Sequence, residues 1–161
     1  MLGRAVWTAQ SAKPGRDAQR FPGGWRVVSA TDTRLDGTVV PDLYLGAHPA
    51  GIFVYEATGY MCYGSMNSDR AKWADESSGT PAELAKAAEG YDSYCGTYEI
   101  DEGRKTVTHH VRVALVPNDV ATDFVRSYDF SGNQLKLSGT NGLKPSFKLW
   151  TVTLESTTPA R

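Results

Sequence analysis

From Trp25 onward, apolar and polar side chains alternate in short runs broken by glycine, proline, asparagine and aspartate. Period-two alternation places successive side chains on opposite faces of a strand. "WRVVSATDT" is rich in β-branched residues, and "LDGTVVP" follows with an Asp-Gly turn signal. "GIFVYE" and "GYMCYGSM" read as two short strands joined by "ATG", with Gly59 in the loop. "TYEIDEGRKTVTHHVRVALV" reads as a hairpin turning at Asp101 to Lys105, and "DFVRSYDFSGNQLKLSG" as another turning at Ser131-Gly132-Asn133. "PSFKLWTVTLE" is the last strand.

The period changes once. Thr80-Pro81-Ala82-Glu83 has the form of a capping box with proline at the first helical position. Leu84, Ala87, Ala88, Tyr91, Tyr94 and Cys95 then recur at three- and four-residue spacing. The spacing predicts a helix over Pro81 to Cys95, ended by Gly96. "NSDRAKWADESSG" before it is a polar loop. Residues 1–21 are polar, with Pro14 and Gly15, and read as a flexible tail. Residues 22–156 form the expected domain, and 157–161 a short polar tail. There is no βαβ alternation and no long repeat. Eight or nine strands in hairpins, with one inserted helix, favour an antiparallel meander closed on itself so that no edge is exposed.

Composition narrows the partners. The chain has 161 residues and a formal net charge of −1, which argues against nucleic acid as a main partner. No run is long enough to span a bilayer as a helix. The N-terminus lacks the sustained apolar stretch of a signal peptide, which points to the cytoplasm unless a leader has been trimmed. Cys62 and Cys95 are expected as two buried free thiols, a disulfide being the alternative in an oxidising setting. Two distant cysteines do not suggest zinc. No phosphate loop, Rossmann fingerprint or nucleophile elbow is present, so no cofactor is called for. A homodimer stays open.

The chemistry concentrates in "TVTHHVRVALVPND". Alternation puts Val107, His109, Val111, Val113 and Leu115 on one face, the expected core face, and His110 and Arg112 on the other. The adjacent histidines therefore diverge and do not make a metal pair; His48 adds no ligand spacing. Phe124, Arg126, Tyr128 and Phe130 share an aromatic face that should point inward. An arginine there needs a carboxylate, a set of carbonyls or a ligand anion, because a lone buried charge is costly. Tyr98 and Ile100 should face in and Glu99 out. The faces of "GIFVYE" and "GYMCYGSM" stay unassigned. Trp25 and Trp150 sit on the first and last strands, which meet when a barrel closes.

"GTYEIDEGRKTVTHHV", preceded by "EGYDSYC" and "TGYM", resembles the bacterial lipocalin-like domain family. Gly23-Gly24-Trp25 fits the Gly-x-Trp of a lipocalin first strand. The resemblance runs from about Phe21 to Glu155 and is most specific from Glu89 to Val111. It departs after Pro117-Asn118, where an aromatic and a glycine are expected before the threonine. Here Asp119, Val120 and Ala121 precede Thr122. The resemblance implies a lipocalin-like β-barrel with an apolar interior. Arg126-x-Tyr128 also looks like the Arg-x-Tyr carboxylate clamp of fatty-acid-binding barrels.

Together these readings give an expected function: binding of a small hydrophobic molecule, with a carboxylate or other oxygen head, in a barrel cavity. His109, Arg126 and Tyr128 are the expected working residues. Tyr63, Tyr94, Tyr98, Phe124 and Trp150 are the expected walls. The alternative is a cofactor-independent isomerase, cyclase or lyase using the same cavity in a biosynthetic reaction. There His109 or a tyrosine would be acid or base, with Arg126 stabilising negative charge.

Overall fold

The computed structural model describes residues 15–140 and 145–157. Nine strands occur in chain order: β1 (Gly23–Arg34), β2 (Val39–Pro41), β3 (Pro49–Tyr55), β4 (Tyr60–Asn67), β5 (Tyr91–Asp101), β6 (Thr106–Ala114), β7 (Asp123–Ser131), β8 (Gln134–Gly139) and β9 (Phe147–Ser156). One α-helix among the described residues, α1 (Pro81–Glu89), lies between β4 and β5. The sheet runs β2-β1-β3-β4-β5-β6-β7-β8-β9, and β1 also pairs with β9. Every named pairing is antiparallel. Eight strands thus close into a barrel, and β2 is an extra strand on the C-terminal half of β1. Closure removes the exposed ladder that an open sheet of this length would present.

Long β1 makes closure possible. Trp25 to Arg34 pair with Ser156 back to Phe147 of β9, while Gly23 to Arg26 pair with Tyr55 back to Ile52 of β3. A bulge between Val27 and Ser29 increases the local bend. The ladder with β3 stops at Arg26↔Ile52, and β2 takes over at Thr31↔Pro41. Trp25 and Trp150 lie on strands that meet, as expected, but at different places along the seam: Trp25 is opposite Ser156, and Trp150 is opposite Asp32.

Three expectations need correction. The helix is shorter than its spacing suggested. Thr80 and Glu83 do form the capping box, but α1 ends at Glu89 with Gly90 as its C-cap, and it fully buries none of its side chains. Tyr91, Tyr94 and Cys95 belong to β5, where Tyr94 points in and Cys95 out. The helical recurrence was carried past the glycine that stops the helix.

That reassignment brings the cysteines together. Cys62 and Cys95 are register partners on β4 and β5, with Cα atoms 4.1 Å apart, and they form a disulfide. They are not free thiols. The bond staples the outer wall behind Tyr63 and Tyr94.

The tail also ends earlier than residue 21. Residues 1–14 lie outside the described residues, but Gly15 to Phe21 do not. A short 3₁₀ turn, Ala18–Arg20, delivers Phe21 into one end of the barrel, where its ring is 0% exposed. Phe21 meets Tyr55, Tyr128 and Phe130 edge-on, with centroids 5.3, 5.0 and 5.2 Å away. Its carbonyl accepts from the Trp25 indole at 2.9 Å. Lys105 pairs with Asp17, and Glu102 accepts from the Ala18 amide at 2.8 Å, so the turn is tied to the β5–β6 hairpin. This end is plugged.

A further departure concerns β6. Val107, His109 and Val111 face in as expected, but Val113 is 60% exposed and Leu115 is exposed too. The register with β5 shifts between Cys95 and Gly96: Gly96 pairs with Val111, and Cys95 with Val113. Arg112 is the extra residue, and it turns Ala114, not Val113, towards Tyr94.

Candidate functional site

Inside the barrel, above the plug, His109 is 1% exposed. Its Nε2 lies 2.9 Å from the Tyr55 hydroxyl and its Nδ1 2.6 Å from the Tyr94 hydroxyl. β3, β5 and β6 each supply one member, because their inward positions coincide at this level. His109 is cross-strand partner to Tyr98 on one side and Phe124 on the other. Burial pushes the imidazole pKa down to about 3, and the positive charge of Arg126 acts the same way. Burial holds the Tyr55 phenol well above its usual value, and pushes Tyr94 up to about 12 against the lowering effect of Arg126. The three groups are neutral at physiological pH.

Beyond Tyr94 the lining becomes polar and only half buried. Tyr63 stacks on Phe53 at 4.6 Å, meets Tyr94 edge-on at 4.4 Å, and donates its hydroxyl to Asp92. Phe124 packs against Tyr94 with centroids 5.5 Å apart. The Arg126 guanidinium lies over the Phe124 ring at 4.5 Å and the Trp150 ring at 4.7 Å. Cation–π contact stabilises such a charge, though less than an ion pair with hydrogen bonds does. Among the described residues no carboxylate comes within ion-pair distance of Arg126. Asp119, in the short 3₁₀ turn Pro117–Asp119 after β6, completes the rim. Its pKa is raised by burial and by the charge of Asp92, with Arg126 opposing.

The structure divides the residues expected from sequence. His109, Tyr63, Tyr94, Phe124, Arg126 and Trp150 form one contiguous cluster of side-chain contacts. Tyr98 and Tyr128 lie at the plugged end. Tyr98 donates to the Glu56 carbonyl at 2.9 Å, and Tyr128 donates to Asp17 at 3.2 Å. Arg126 and Tyr128 share a strand face but do not form a two-residue clamp, because the Arg126 side chain reaches towards Phe124 and away from Tyr128. His110 points outward as expected, between Asp123 at 2.7 Å and Glu99 at 3.7 Å. No group of three metal-ligating side chains occurs among the described residues.

Sequence reasoning missed Tyr55, Asp92 and Asp119. Tyr55 lay on a strand apolar on both faces. Asp92 was assigned to the helix. Asp119 falls where the family pattern breaks. There Ala121 takes a left-handed φ of 64°, a conformation glycine adopts without strain. Grooves of about 260 and 550 Å³ lie elsewhere, on the wall where β1 parts from β3.

The geometry defines a class: a small antiparallel barrel, plugged at one end, with an aromatic and polar opposite end. A family model for the lipocalin-like domain matches residues 22–155, and the chain belongs to that family. A crystal structure of a lipocalin-like protein from Bacteroides uniformis ATCC 8492 is similar at 11% identity, covering 85% of this chain and 98% of that one, with a TM-score of 0.43. No curated protein matches the chain. No helix among the described residues is long and apolar enough to cross a membrane.

Proposed function

We propose that the protein binds a small hydrophobic molecule at the unplugged end of the barrel, with an oxygen-bearing head against Arg126. One observation carries this reading: Arg126 is half buried between Phe124 and Trp150, with no ion-pair partner among the described residues. A carboxylate or carbonyl head would supply the missing acceptor, and the rings of Tyr63, Tyr94 and Phe124 the apolar contact. His109 does not suit general-base catalysis. A group titrating near 3 is a weak base at neutral pH, and a phenol near 12 gives up its proton reluctantly. These values favour binding over the isomerase, cyclase or lyase alternative. The disulfide supports an oxidising setting for the protein over the cytoplasmic one expected from the N-terminus.

The test is decanoate binding by calorimetry to the full chain and to Arg126→Met, which keeps the apolar stem. A charge-assisted hydrogen bond is worth about 1.5–3 kcal/mol, so affinity should fall by about tenfold or more. Equal affinity in the two proteins would remove the head-group assignment.

A further inference from the structure

Hydrogen counting along Tyr55, His109 and Tyr94 leads one step further, and it rests on the binding reading above. The two contacts at 2.9 and 2.6 Å each take one hydrogen. Neutral His109 carries one N–H and each tyrosine one O–H, which makes three hydrogens for two bonds. One phenol O–H must therefore point out of the chain of contacts. Which one depends on the histidine tautomer.

If Nε2 carries the hydrogen, Tyr55 accepts it and the Tyr55 O–H is the surplus one. Tyr55 is 1% exposed, and the Phe21 and Tyr98 rings pack edge-on against its own. Among the described residues its hydroxyl has no partner besides His109, so the hydrogen would be buried without an acceptor, which is unfavourable. If Nδ1 carries the hydrogen, Tyr55 donates to Nε2, His109 donates to Tyr94, and the surplus O–H belongs to Tyr94. That hydroxyl stands beside Arg126, whose N–H groups favour an oxygen presenting lone pairs to them. Among the described residues the Tyr94 hydroxyl is hydrogen-bonded to His109 and forms no hydrogen bond to Asp92, which accepts from Tyr63. The Tyr94 hydrogen is then left for a ligand beside Phe124 and Arg126.

We infer that Tyr55 and His109 are positioning residues that lock His109 as the Nδ1–H tautomer, making Tyr94 a hydrogen-bond donor beside Arg126. Beside Arg126 the site then presents two kinds of donor, the guanidinium and the Tyr94 hydroxyl, and it favours a ligand whose head is an acceptor-only oxygen, a carbonyl or carboxylate, over a hydrocarbon end. Tyr94 is the specificity-determining side chain.

Two measurements on the full chain test this. In ¹⁵N-histidine spectra, His109 should show Nδ1 protonated and Nε2 bare. Tyr55→Phe, which keeps the ring and removes only the donor, should abolish that bias and give a mixture. In calorimetry, 2-decanone should bind at least about tenfold more tightly than decane. Tyr94→Phe, which keeps the ring, should cut that preference severalfold, Arg126 keeping the remainder. An Nε2–H tautomer in the wild-type protein overturns the inference whatever binds. So does decane binding as tightly as 2-decanone, or a ketone preference that Tyr94→Phe leaves unchanged. Loss of all probe binding with the Nδ1–H tautomer intact refutes the binding reading, and head-group selection with it. The spectra separate that failure from the others.

Discussion

Lowering the pH from 7 to 5 should destabilise the fold through His109. In the unfolded chain an imidazole titrates near 6.5. In the barrel, burial among Tyr55, Tyr94 and the neighbouring rings pushes it to about 3. Below pH 6.5 the unfolded state therefore takes up a proton that the folded state refuses, and folding stability falls with pH. The stability is fully present above pH 6.5 and is lost down towards pH 3. Each pH unit in that window costs about 1.4 kcal/mol, so about 2 kcal/mol is gone by pH 5. That is a large fraction of a typical domain's total. Stopping at pH 5 avoids Asp17, Asp36, Asp75 and Glu83, whose lowered values make them lose stability further down. Asp119 works the other way: its raised value lets the folded state gain a proton first, so it stabilises as pH falls. Urea unfolding should therefore be followed in a His48→Gln, His110→Gln, Asp119→Asn background, with and without His109→Gln. The expected result is a midpoint that drops from pH 7 to 5 only when His109 is present. A flat profile with His109, or an equal drop without it, would refute the buried-imidazole account.

Replacing both Cys62 and Cys95 by alanine opens a loop whose ends are 33 residues apart, and chain entropy sets the loss at about 3–4 kcal/mol; a urea midpoint equal to the oxidised wild type would contradict a formed disulfide. Gly96→Ala should be among the most damaging single changes, because a Cβ there would sit 1.9 Å from the His110 carbonyl oxygen, a backbone atom that cannot swing away. Loss of more than about 3 kcal/mol, or failure to fold, is expected by circular dichroism, and a wild-type melting temperature would show that the bulge relaxes freely.

Much of the barrel is legible in the chain because alternation and turn chemistry agree over β7 to β9. In "DFVRSYDF" one face is aromatic and the other polar, and the structure keeps that assignment through Tyr128 and Phe130. The reading fails where alternation carries no contrast or where a bulge resets it. On β3, Ile52 and Val54 are as apolar as Phe53 and Tyr55, yet they point to solvent. Burial there is decided by closure of the sheet, which no single strand encodes. On β6 the alternation is regular to Val111, and the extra residue Arg112 then reverses it. Gly96 is the available signal: glycine at a strand position marks a bulge or a close approach, and a helix extended to Cys95 hides that role. The missed disulfide follows from the same error, since two cysteines pair by register only when both lie on strands.

The interior polar relay is better explained by specificity than by stability. A buried neutral hydrogen bond contributes about 1 kcal/mol net, and a well-packed apolar replacement of both partners is often no worse. Tyr55, His109 and Tyr94 could in principle be three apolar side chains without loss of the fold. What apolar groups could not do is fix the direction of a hydrogen at the mouth. Phe21 and Tyr98 close around the Tyr55 ring, so the plug settles which end of the relay has no room for a free O–H. The polar end inherits that decision through His109. On this argument the plug and the mouth are one device: packing at the sealed end sets hydrogen-bond polarity at the end where a ligand would enter.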